Sequence, residues 1–120
     1  MNYFQFKLDN KLSRRSTESS QMLQKFPSRI PIVLEKAWNS RLSQLPKSKF
    51  MCPGEYTEQQ FVTCVRKKLA LGSETALFVF VNGVDLIAGN SLMSDVYNKE
   101  KDDDGFLYMV YCEQDVLGGN

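Results

Sequence analysis

The stretch "TEQQFVTCVRKKLALGSETALFVFVNG", residues 57–83, changes its hydrophobic period halfway along, and that change decides the fold. Thr57 with Gln60 three residues on is a capping-box pattern, in which each side chain satisfies a backbone N–H that the first helical turn leaves unpaired. Phe61, Val65 and Leu69 then recur every four residues, so they share one face of a helix. Gly72 is expected to mark its end. From Ala76 to Val81 the pattern becomes a continuous apolar run, "ALFVFV", as expected of a strand covered on both faces. Asn82-Gly83 follows as a tight-turn pair.

Upstream, "RIPIVLEK" (29–36) is β-branched and apolar and reads as a strand, with Pro31 unable to donate one ladder hydrogen bond. A loop, "AWNSRLSQLPKS", leads to a second short strand, "KFMCP" (49–53), stopped by Pro53-Gly54 and therefore suited to a sheet edge. Downstream, "SLMSDVYNKE" predicts a short helix and "FLYMVYCEQ" a last apolar strand. The first 27 residues are polar, with Met22, Leu23 and Phe26 at helical spacing before Pro27, and predict one or two short helices lying on the main domain. This order describes an α+β domain, a mixed four-stranded sheet over one long helix.

Composition excludes several function classes. With 120 residues, 42% hydrophobic and 24% charged, the chain suits one domain with a modest core. There is no histidine, so the usual base of a Ser or Cys nucleophile is missing. Asp102, Asp103 and Asp104 run together before Gly105 and read as a solvated turn, since mutually exposed carboxylates keep ordinary pKa values. No phosphate-binding glycine loop occurs. Cys52, Cys64 and Cys112 are odd in number and far apart, which predicts neither a metal site nor disulfides and points to a reducing, cytoplasmic setting. The expectation is a protein that binds or is handled by others: not an enzyme, and without a cofactor.

No signal peptide or membrane span of ~18 apolar residues is expected. Lys+Arg number 15 against 14 Asp+Glu, a net charge of +1, which disfavours nucleic acid as a partner of Arg14, Arg15 and Arg66 to Lys68. The chain stops with "DVLGGN". Two glycines contribute nothing to a core, so either the end is frayed or an outside agent needs an unhindered glycine there.

The segments "FPSRIPIVLEKA", "KSKFMCP", "QFVTCVRKKLAL", "ALFVFVNG" and "FLYMVYCEQDVLG" resemble, in order and spacing, the autophagy ubiquitin-like modifiers, relatives of GABA type A receptor-associated protein and the microtubule-associated light-chain proteins. The resemblance runs from about Glu18 to Gly118. It implies a ubiquitin-like β-grasp domain over 28–117, preceded by an N-terminal helical extension over 1–27 and followed by a processing tail over 118–120.

The resemblance also implies a function. A cysteine protease would trim the tail to Gly118, or alternatively Gly119. Activating and conjugating enzymes would pass the new carboxylate to phosphatidylethanolamine, leaving a cytoplasmic protein peripheral on autophagosome membranes. Receptors would dock an aromatic-x-x-aliphatic peptide along the second strand. Carried over by position, Glu18, Met22, Pro31, Lys47, Met51 and Phe106 would form the aromatic pocket. Phe50, Cys52, Pro53, Tyr56, Phe61, Cys64 and Val65 would form the aliphatic one, with Arg29, Lys47 and Lys49 as an electrostatic rim. By pattern alone, Phe61 and Val65 read as core, Met22 and Met51 as gap fillers, and the two cysteines as small hydrophobes. An unconjugated trafficking or cytoskeletal adaptor with the same groove is the rival reading.

Overall fold

The computed structural model describes residues 4–113; the tail glycines, Gly118 and Gly119, lie outside them. In chain order the elements are α1 (Gln5–Asp9), α2 (Leu12–Lys25), β1 (Arg29–Lys36), β2 (Lys49–Pro53), α3 (Glu58–Lys68), β3 (Phe78–Val81), β4 (Asp85–Leu86), α4 (Met93–Glu100) and β5 (Leu107–Cys112). The strands form one mixed sheet in the order β2-β1-β5-β3-β4. The central β1–β5 pair is parallel and the others are antiparallel. This is the ubiquitin-like arrangement with an N-terminal helical extension.

The sheet has five strands where the sequence predicted four. Asn82 and Gly83 both adopt positive φ, 55° and 77°, the geometry of a turn whose twist matches a hairpin. The chain therefore folds back and pairs Leu86 with Phe80 and Asp85 with Val81 before leaving the sheet.

Period-two alternation sorts the side chains of the central strands between two cores. Ile30, Ile32 and Leu34 of β1, Val79 and Val81 of β3, and Leu107, Met109 and Tyr111 of β5 pack on one face with Phe61 and Val65 of α3, its C-cap Leu69, and Met93, Val96 and Tyr97 of α4. Val33, Phe80, Phe106, Tyr108 and Val110 line the other face with Phe4 and Phe6 from the chain's start. Every residue of β5 is buried, which explains its uninterrupted apolar sequence.

The capping box forms as its pattern predicts: Gln60 N–H donates to Thr57 Oγ1 at 3.1 Å and Thr57 N–H to Gln60 Oε1 at 2.8 Å. The helix stops before Gly72, however. Its left-handed terminator is Ala70, φ 54°, whose N–H donates to Lys67 O while Leu71 N–H donates to Arg66 O. That pair of bonds is a Schellman motif, which needs a left-handed residue directly after the cap whatever its type.

The aspartate run also departs from expectation. Asp103 is exposed, but Asp102 bonds Lys7 at 2.6 Å and Asp104 is buried. The Asp104 carboxylate takes Arg15 at 3.0 Å, the Tyr108 hydroxyl and the Phe106 N–H, while its backbone carbonyl accepts from Ser19 Oγ. Burial pushes the Tyr108 hydroxyl far above its ordinary pKa, and the bond to Asp104 pushes the same way. Arg15 and Ser19 both lie on α2, so this buried cluster clamps the N-terminal helix to the turn before β5.

Candidate functional site

β2 lies at the outer edge of the sheet, with β1 as its neighbour on one side and no strand on the other among the described residues. The register pairs Ile30 with Cys52 and Ile32 with Phe50. Gly54 N–H donates to Ser28 O, and Leu34 N–H to Ser48 O, so the hydrogen-bonded positions fall on the even residues. In an antiparallel ladder bonding alternates, which leaves the amides and carbonyls of Lys49 and Met51 turned away from β1. Pro31, opposite Met51, occupies a position that donates nothing to β2, so the proline leaves that ladder intact.

The same alternation sends β2 side chains to both faces. Phe50 and Cys52 share the face of Ile30 and Ile32, towards α3; Lys49 and Met51 share the face of Pro31 and Val33, towards α2. The alternation puts Phe50 and Cys52 of the aliphatic set on the α3 side and Met51 of the aromatic set on the α2 side, while Pro53, carried over to the aliphatic set, shares the parity of Met51 and so the α2 side.

On the α2 side, Glu18 accepts an ion pair from Lys49 and a looser one from Arg14 at 3.6 Å. Lys49 Nζ also stands 5.6 Å from the centre of the Phe6 ring. Met22 packs half-buried against the aromatic core, and Met51 is half-buried too. Pro31 is buried, as is Phe106, whose ring meets Phe6 edge-on at 5.3 Å. Lys47 is exposed in the loop before β2. Arg29 is exposed at the start of β1, its guanidinium 4.8 Å from the Phe26 ring.

On the α3 side, Phe50 is half-buried, stacked on Phe61 at 6.1 Å, with Lys68 Nζ 5.1 Å from its ring centre. Phe61, Val65 and Cys52 are buried beneath it and Tyr56 packs half-buried on the same core; Cys64 is half-buried on α3 and Pro53 half-buried at the end of β2. Burial pushes the Cys52 thiol pKa up to about 12, with the nearby Cys64 adding to it, so Cys52 stays protonated at neutral pH.

Two contacts here were not foreseen from the sequence: the Glu18–Lys49 pair, which already occupies a lysine assigned to the rim, and the Lys68 ammonium over Phe50. The second is consistent with the i, i+7 spacing of Phe61 and Lys68 on one helix, a signal the charge run Arg66-Lys67-Lys68 obscured. Among the described residues no three His, Cys, Asp or Glu side chains converge to hold a metal, and no helix is long and apolar enough to cross a membrane.

Comparison with known proteins gives this geometry a setting. The family model described as autophagy protein Atg8 ubiquitin like matches residues 14–118. Autophagy-related protein 8a of Arabidopsis thaliana is 44% identical over 113 residues, covering 94% of this chain and 92% of that one. Autophagy-related protein 8A of Oryza sativa subsp. japonica is 42% identical, with 94% of each chain covered. The crystal structure of Trypanosoma brucei ATG8 superimposes with a TM-score of 0.87 at 36% identity, over 92% of this chain and 94% of that one. The chain belongs to the Atg8 family of autophagy-related ubiquitin-like proteins.

Proposed function

We propose that the protein is a modifier and adaptor of autophagy, not an enzyme, which binds short receptor peptides along the β2 edge and is itself joined to phosphatidylethanolamine through Gly118, or alternatively Gly119. One observation carries the peptide-binding part: an edge strand whose Lys49 and Met51 backbone groups face away from β1, with its side chains alternating between the α2 side and the α3 side. An extended peptide added at such an edge alternates its side chains between the two faces. In an aromatic-x-x-aliphatic motif the anchors are three residues apart, an odd number, so they point to opposite faces. The aromatic anchor would enter beside Glu18, Met22, Met51 and Lys49, and the aliphatic one beside Phe50, Pro53, Tyr56 and Cys64.

Buried Phe106, Phe61, Val65 and Cys52 would then lie beneath the two anchors. Exposed ion pairs contribute ~0–1 kcal/mol each, so Arg29, Lys47 and Lys49 steer acidic flanks while the apolar anchors supply most of the affinity. Lys49 must exchange or share its Glu18 partner to do so. Arg15 and Arg66 are already engaged, by Asp104 and by the Gly72 carbonyl at 3.1 Å, which speaks against a nucleic-acid surface built on them.

Calorimetric titration with an aromatic-x-x-leucine peptide tests the groove. Phe50→Ala with Lys49→Ala is expected to weaken binding at least about tenfold, that is by about 1.4 kcal/mol. Undiminished binding by the folded double variant would reject the edge. Conjugation is tested by intact mass of the protein recovered from its own cells: loss of the residues after the attachment glycine together with gain of a phospholipid supports it, and full-length chain alone counts against it.

A further inference from the structure

We propose, resting on the β2-edge reading above, that a cleft between α1 and the loop that follows β1 is a further subsite of the peptide groove, which takes an apolar side chain lying upstream of a receptor peptide's aromatic anchor. The cleft holds about 700 Å³, and Phe6, Leu8, Trp38, Leu45 and Ser48 are among its walls. Leu8 and Trp38 are 65% and 66% exposed, large apolar side chains whose burial by a ligand would be favourable.

Continuity with the groove names the occupant. Ser48 immediately precedes Lys49, the first residue of β2. Phe6 is a shared wall: it lines the cleft, meets Phe106 edge-on at 5.3 Å and has Lys49 Nζ 5.6 Å from its ring centre. The two anchors set the direction. The aromatic one would sit beside Lys49, at the start of β2, and the aliphatic one beside Pro53, at its end, so an aromatic-x-x-aliphatic peptide runs the same way as the strand. Residues before the aromatic then pass Ser48 towards the cleft. Those two and four positions upstream share the aromatic's face and lie roughly 7 and 13 Å from it.

The chemistry of the walls selects an apolar occupant. Among the described residues that line the cleft, the three charged side chains already have partners: Glu35 accepts from the Gln5 and Phe6 N–H groups at 2.8 and 2.9 Å, Asp9 accepts from Gln5 Nε2 at 2.8 Å, and Lys36 Nζ donates to Ser40 O at 3.1 Å. The surface of Leu8 and Trp38 is what remains to be covered. A residue tethered to a seated anchor meets the cleft at millimolar effective concentration, so a contact too weak to hold a free peptide still adds affinity.

Calorimetric titration of the full chain with two peptides tests the subsite. Both carry a tyrosine-x-x-leucine core, and they differ only two and four residues before the tyrosine, with leucines in one and serines in the other. The leucine peptide is expected to bind at least about tenfold tighter. Leu8→Ser with Trp38→Ser, both at exposed positions, should bring the two peptides to equal affinity and leave that of the serine peptide unchanged. Trp38 is the chain's single tryptophan, so in the parent its emission should shift to the blue with the leucine peptide and stay in place with the other. Equal binding of both peptides by the parent would overturn the subsite and leave the β2 edge standing, whereas binding of neither would overturn both. A preference that survives in the folded double variant would put the upstream residue elsewhere, and a blue shift that grows with protein concentration before any peptide is added would give the cleft to a second copy; either result overturns the proposal.

Discussion

On the α3 side of the sheet the packing is mainly aliphatic: rows of Ile, Leu, Val and Met from β1, β3 and β5 meet Phe61, Val65 and Leu69. On the α1–α2 side aromatic rings dominate, with Phe4 and Tyr108 centroids 5.0 Å apart, and the contact is locked by the buried Arg15–Asp104–Tyr108 cluster. The difference lies in tolerance. An apolar interface degrades by degrees as methylenes are removed, whereas a buried ion pair leaves an uncompensated charge once one partner goes. The first side should therefore set global stability, and the second should set whether the N-terminal helices stay docked.

Replacing one member on each side separates these roles. Asp104→Ala strands Arg15, only 12% exposed at its side chain, and removes the acceptor of Tyr108; it is expected to cost about 3–5 kcal/mol. Amide exchange should rise first across α1 and α2, and equal acceleration over α3 would contradict a face-specific clamp. Leu34→Ala, fully buried on the opposite face, should cost about 3 kcal/mol by chemical denaturation, with α2 and α3 losing protection together.

Smaller changes sharpen the contrast. Ala70 holds a left-handed conformation that an L side chain disfavours by roughly 1–2 kcal/mol, so Ala70→Gly should stabilise the α3 side by about 1 kcal/mol, seen as a higher denaturation midpoint. A lower midpoint would mean the Schellman bonds are not what ends the helix.

The least effect is expected from pH. Burial alone would raise the Asp102 carboxyl, but the Lys7 hydrogen bond and charge outweigh it and hold it below its ordinary value. A depressed carboxyl contributes stability above its unfolded value of about 3.9 that is lost as pH falls through the folded value. With side chains 35% and 24% exposed, the Lys7–Asp102 pair is worth at most ~1 kcal/mol. Asp102→Asn should thus lower stability slightly at pH 6 and make no difference once the pH is below the folded value. A gap that persists in acid would show that the asparagine perturbs packing and not charge.

Local patterns were legible wherever one residue type has one physical use. Thr57 and Gln60 could be read as a cap because their bonds close within four residues, and Asn82-Gly83 as a turn because positive φ suits them. The residues proposed for the groove came from a family resemblance; the register of β2 parts Phe50 and Cys52 from Met51 because neighbours along one strand face opposite ways. Ala70 carried no such mark, since alanine as a helix terminator looks like alanine in a helix. Nor did Asp104, which resembles its exposed neighbour Asp103 until Arg15, 89 residues away, is brought to it.

The sequence by itself determined the period of each element, hence which segments are helix and strand and which of their faces are apolar, because these depend on residues within a turn or two of one another. Only the tertiary structure decided that β2 is an edge, that β4 adds a fifth strand and that one aspartate of three is buried. Each of those depends on which distant segment fills the neighbouring space, and chain proximity carries no record of that.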